Sequence, residues 1–257
     1  MITLEQLTVF FLIFARIAGL VQLAPVFNNR EVFGVAKVML IFWVSSLLIF
    51  VVPLPMSLPD SPIIFGLAIT SEFLVGALLG FAAQLLVVGI EAAGSLMDTQ
   101  AGLSAASLLD PGSGRSVTIL SSLLNKIALI TFLTINGHHM LLAAVFQSYK
   151  LLPIGAPVQF PMATEMLMHL GTNIFAIALQ FAAPILFVVF LIDFCFGMLS
   201  KIAPQLNVFQ LGFQVKPIIS IFILLAIVPG LVDGIYALLE QVAGILLKLL
   251  LVMQTHG

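Results

Sequence analysis

Glu91 and Asp98 stand seven residues apart in the stretch EAAGSLMDTQAGLSAASLLDPGSGRSVTIL, residues 91–120. On a helix that spacing puts two carboxylates on one face, a pattern suited to general acid–base work or to cation binding. Further along, His138 and His139 in NGHH offer imidazoles to a metal. Adjacent helical side chains diverge by about 100°, however, and neither His nor Glu follows at i+4. Four more ionisable residues, Arg16, Lys37, Glu72 and Lys126, interrupt apolar runs. They admit a charge relay or ion path, or else structural pairing between helices, with Arg16 and Lys37 reaching towards helix ends. No nucleophile elbow, phosphate-binding loop or zincin helix accompanies these groups. The expectation is a chain that is not an enzyme, with no catalytic, cofactor-binding or metal-binding residues.

The elements that hold these groups must be built from an oily chain. Of 257 residues, 61% are hydrophobic and 8% charged, against about 25% charged in an ordinary soluble domain. That composition describes an integral membrane protein. Nine Lys/Arg in a net charge of -2 form no basic face for nucleic acid. The one cysteine, Cys195, excludes an internal disulfide, and its large apolar neighbours predict a small buried hydrophobe. The N-terminal apolar run has no Lys/Arg before it and is interrupted by Arg16, so it is expected to be a retained first helix rather than a signal sequence.

Only helices or closed barrels satisfy their own backbone in lipid, and a spanning helix needs roughly 20 residues. Apolar stretches at 7–24, 35–52, 63–90, 119–146, 173–192 and 217–252 meet or approach that length, and no strand-like alternation is evident. VPGLVDG (228–234) carries Pro229, Gly230 and Gly234, predicting a turn that makes the last stretch a hairpin. The expected fold is therefore all-α and polytopic, with six to seven hydrophobic segments. Proline-rich VPLPMSLPDSP (52–62) and LLPIGAPVQFP (151–161), together with SKIAPQLN (200–207), read as connecting loops. Gly76 and Gly80, with Ala83 nearly in line, form a small-residue stripe that lets another helix approach closely. After Gln100 the polar helix is expected to continue towards Leu109, turn at DPGSG (110–114) and restart at Arg115. Such a loop belongs in water, or in protein or a water-filled passage at membrane depth.

The run GALLGFAAQLLVVGIEAAGSLMDTQAGLSAASLLDP, preceded by ARIAGLVQLAPVF and followed by NGHH, PIGAP and LSKIAPQLNVFQLGFQVK, resembles the FliR family of flagellar export-gate proteins and its type III secretion (SctT) counterparts. The resemblance covers nearly the whole chain in order. It implies one export-gate domain over 1–257, with a FliP-like part at 1–210 and a FliQ-like helical hairpin at 211–257. It also implies assembly with FliP-like and FliQ-like membrane proteins, association with a FlhB-like protein, and passage of unfolded substrates. The implied location is the bacterial inner membrane at the flagellar basal body, with much of the complex raised towards the periplasm. The family's plug role falls here on Ala106, Ser107, Leu108, Leu109, Asp110, Pro111, Gly112, Ser113 and Gly114. Arg16, Lys37, Glu72, Glu91, Asp98, Gln100 and Lys126 are then the buried or channel-lining polar groups. Virulence secretion shares the pattern, and an ion-coupled transporter using Arg16, Glu72 and Lys126 is the reading from another class.

Overall fold

A computed structural model describes residues 4–27, 33–52, 61–104 and 119–254. The eight helices among them are α1 (Leu4–Leu23), α2 (Gly34–Leu48), α3 (Pro62–Gln100), α4 (Ile119–Thr134), α5 (Gly137–Leu151), α6 (Phe160–Ile202), α7 (Val208–Glu240) and α8 (Val242–Met253). Extended pairing among the described residues is one isolated antiparallel bridge between Val158 and Gln254. The fold is all-α, as the lack of strand-like alternation led us to expect.

Four stretches are long and apolar enough to cross a membrane: α1, α3, α6 and the run Val208–Met253. A fifth appears if α4 and α5, bent by 64° at their junction, count as one broken span. That total is below the six to seven expected, and the differences have physical causes. The 15 residues of α2 reach about 22 Å at roughly 1.5 Å per residue, short of the approximately 30 Å hydrocarbon core. The predicted span 119–146 is broken because Asn136 adopts a left-handed conformation, φ 58°, which Asn tolerates better than most residues.

The predicted turn at 229–234 is not there. Pro229 and Gly230 lie inside α7, as does Pro217. Pro-Gly marks a turn where water can take up the freed backbone groups. In an apolar setting opening the helix leaves them unsatisfied, so the helix continues through the proline. A helical hairpin does exist, with its turn at 203–207, where α6 passes to α7 through SKIAPQLN. Asn207 Oδ1 caps α7 by accepting from Gln210 N–H at 3.1 Å. Asp193 pairs with Lys216 at 2.5 Å, and a side chain at Gly234 would press on the Phe181 ring. These contacts fix the two helices antiparallel.

The chain divides into two compact units. The first comprises Met1–Leu86, Phe132–Gly171 and Leu239–Gly257. Its core includes Leu12, Ile13, Leu20, Leu79, Phe132 and Leu141, each at most 2% exposed. Here α2 packs on α1 and α5 on α8, and Gln159 N–H donates to the Met253 carbonyl at 3.1 Å. The second unit, Val87–Thr131 and Thr172–Leu238, holds the end of α3, most of α4 and the hairpin. Cys195 is exposed on α6, contrary to the expected burial: its flanking phenylalanines signal an apolar surroundings for the helix surface, not the inside of this chain.

Candidate functional site

In the first unit the glycine stripe of α3 faces α1. A side chain at Gly76 would overlap the Arg16 carbonyl, and one at Gly80 would meet the Leu20 carbonyl oxygen at 2.6 Å. Gly19 of α1 faces the Phe73 carbonyl equally closely, and Ala83 is buried at 1% exposure. Two backbones therefore touch, and the attraction is short-range packing that any larger side chain would abolish. Gly19 was hidden in ARIAG; its spacing of four from Ala15 is the signal that marks it.

That close approach brings two charges together. Arg16 Nε donates to Glu72 Oε2 at 2.5 Å, with both side chains nearly inaccessible. Arg16 Nη1 donates to Ser148 Oγ at 3.0 Å and to the Leu152 carbonyl at 3.1 Å. The guanidinium lies 4.2 Å from the centroid of the Tyr149 ring, whose hydroxyl reaches the Ile13 carbonyl at 3.4 Å. Glu72 uses its second oxygen to accept from Gly155 N–H at 3.2 Å. One planar cation and one carboxylate thus tie α1, α3, α5 and the 152–155 connection. A delocalised, forked guanidinium can make these bonds in several directions at once, which an ammonium cannot. Of the two readings for these charges, the contacts are those of structural pairing between helices.

A second polar knot lies in the second unit, around Asp98, which is fully buried. Its carboxylate accepts from Leu120 N–H and Ser121 N–H, each at 3.0 Å, satisfying donors at the start of α4 that have no partner within the helix. Its own carbonyl accepts from Leu103 N–H at 3.0 Å and Ser104 N–H at 3.4 Å. One residue therefore binds the chain on both sides of residues 105–118. Ser121 Oγ donates to the Glu91 carbonyl at 2.9 Å, and Asn125 Nδ2 to Glu91 Oε2 at 2.9 Å. A side chain at Gly94 would overlap the Ser121 backbone. Glu91 and Asp98 do share a face, and that face is spent on holding α4. The positive φ of Gly102, 77°, lets the chain leave α3 immediately after the carbonyls that Asp98 and its neighbours present.

Glu91, at the edge of the second knot, is exposed, as are Gln100 and Lys126, and Lys37 is half-buried, so burial within the chain accounts for Arg16, Glu72 and Asp98 alone. Gln100 lines a half-open cavity of about 460 Å³ with Thr99, Phe196, Phe209 and the Asp193–Lys216 pair. The His138 and His139 rings lie with their centroids 4.4 Å apart, tilted by 42°. No group of three or more metal-ligating side chains occurs among the described residues. Residues 106–114, assigned the plug role by resemblance, lie outside the described residues, as do Asp110 and Arg115.

Residues 7–242 match the family of bacterial export proteins, family 1. A flagellar biosynthetic protein FliR of Pectobacterium carotovorum is 32% identical over 248 residues, 93% of each chain. A protein of the same name from Bacillus subtilis is 30% identical, covering 84% of each. The Yop proteins translocation protein T of Yersinia pestis is 34% identical over 162 residues, 62% of this chain and 61% of that protein.

Proposed function

The chain belongs to the bacterial export proteins, family 1, and on that premise we propose that it is a non-enzymatic subunit of the type III protein export gate of the bacterial flagellum. It assembles with FliP-like and FliQ-like membrane proteins, meets a FlhB-like protein, and helps to form the channel through which unfolded substrates leave the cell. Residues 1–210 are its FliP-like part and 211–257 its FliQ-like part, and its place is the inner membrane at the flagellar basal body. The observation that carries the reading is similarity over 93% of the chain to a protein named for flagellar biosynthesis. The translocation protein matches over only 62%, which favours the flagellar reading over virulence secretion.

Geometry adds support. The most apolar windows of α6 and of Val208–Met253 are each 22% buried within the chain. In so apolar a protein, surface on that scale calls for lipid or neighbouring helices. The buried carboxylates Glu72 and Asp98 are engaged in ties between segments, a structural use.

Ala106 to Gly114 act as the plug. A passage wide enough for an unfolded chain leaks ions at rest unless something reversible closes it, and Gly112 and Gly114 allow such a segment to move without steric cost. Leu108 and Leu109 supply a contact that excludes water. Deleting 107–114 is expected to raise ion conductance through the assembled complex several-fold, measured in planar bilayers. Unchanged conductance overturns the plug assignment and leaves family membership intact.

A further inference from the structure

On the outward face of α4, Ile119, Leu123, Lys126 and Ile130 follow one another at intervals of four, three and four residues. The three apolar members are 51%, 40% and 62% exposed, and Lys126 is exposed with them. Leu120, Leu124 and Ala128 on the opposite face are buried, so the outward stripe is not a remnant of the chain's own core. Alternating steps of four and three are the seam by which one helix packs along another, and a polar residue on such a seam selects the partner and its register. Lys126 makes no ion pair among the described residues. Glu91, whose Oε2 accepts from Asn125 Nδ2, forms no ion pair with Lys126 among the described residues. An ammonium in the middle of an apolar stripe is costly against lipid and demands a counter-charge.

We propose that this face of α4 is the docking seam for a membrane helix of another subunit, and that the helix carries an Asp or Glu opposite Lys126. The inference rests on the export-complex reading above and adds to it the surface and the chemistry of the partner. Charge complementarity selects this occupant: a lipid tail or an all-apolar helix leaves the ammonium unmatched, and a second copy of the same seam would set Lys126 against Lys126.

The test is extraction of the full chain from its own host in mild detergent, comparing wild type with Lys126→Glu, Lys126→Arg and Lys126→Met. Recovery of Lys126→Glu in the complex is expected to fall about tenfold or more through like-charge contact, with Lys126→Met also reduced and Lys126→Arg within about twofold of wild type. A photo-crosslinking amino acid at position 126 is expected to capture a helix of another subunit bearing Asp or Glu. Because the crosslink needs no charge reversal, it decides the matter even where Lys126→Glu fails to fold. Capture of lipid alone, of a second copy, or of a helix without an acidic residue overturns the proposal. So does a complex in which Lys126→Glu assembles as wild type does. A wild-type chain extracted alone overturns the export-complex reading and this proposal together, whereas an intact wild-type complex indifferent to Lys126→Glu overturns this proposal only.

Discussion

Replacing Arg16 with methionine is expected to destabilise the chain by about 3–5 kcal/mol, the range for removing one partner of a buried ion pair. The loss has two sources. Glu72 is left as an uncompensated carboxylate in a site that is 3% exposed, and Ser148 and the Leu152 carbonyl lose the donor they share. Glu72→Met should cost a similar amount by stranding the guanidinium. The double variant Arg16→Met, Glu72→Met should recover most of the loss, because apolar replacement of both charges removes the desolvation penalty with the attraction. Arg16→Lys should fall between wild type and methionine, keeping the charge and losing the fork that ties α1, α3 and α5. Unfolding of the four variants in detergent measures the coupling directly. A single variant as stable as wild type, or a double variant as unstable as the sum of the singles, would remove the ion pair from the account of this unit.

Asp98→Ala is expected to cost about 3 kcal/mol, combining the loss of a helix cap, roughly 0.5–2 kcal/mol, with buried N–H groups left without an acceptor, about 1–3 kcal/mol each. The two donors, Leu120 and Ser121, begin α4 beside the 105–118 segment. The first turn of α4 should therefore fray before the rest of the helix, seen as faster amide exchange at 119–122 with protection at 124–132 unchanged. Asp98→Asn, which keeps one acceptor oxygen, should lie between. On the proposed plug role of 106–114, Asp98→Ala should also raise resting conductance, because the side-chain tie to the start of α4 is lost while the bonds from Leu103 and Ser104 to the Asp98 backbone carbonyl remain. Exchange at 119–122 equal to wild type would show that the carboxylate does not hold α4.

Much of this architecture was legible in the sequence because lipid makes polar residues conspicuous. Arg16 and Glu72 stand out in apolar runs, and the cost of burying them predicts that each has a partner, whereas Asp98 sits in a polar stretch and was marked only by the face it shares with Glu91. The Gly76–Gly80 spacing announces a close helix approach. Which groups meet was not legible: Arg16 and Glu72 are separated by 56 residues, and only the α1–α3 contact brings them together. The expected C-terminal hairpin failed for a different reason: Pro229-Gly230 is a turn in water and a continued helix here. SKIAPQLN, read as a connecting loop, does turn, with Asn207 capping the next helix. The break at Asn136-Gly137 was written in a dipeptide that often marks turns, within the polar NGHH patch, but the apolar runs on both sides of it read as one span. Exposure of Lys126 could not be read at all, since nothing in a single helix's pattern says whether its outward neighbour is lipid, water or another chain.

The most direct test of membership in an export gate is native mass spectrometry of the tagged full chain, released in mild detergent from its own host. A defined complex with small polytopic partners of FliP-like and FliQ-like kind is the predicted result. A lone monomer or homodimer, obtained under conditions that keep other membrane complexes of the same host intact, would contradict it.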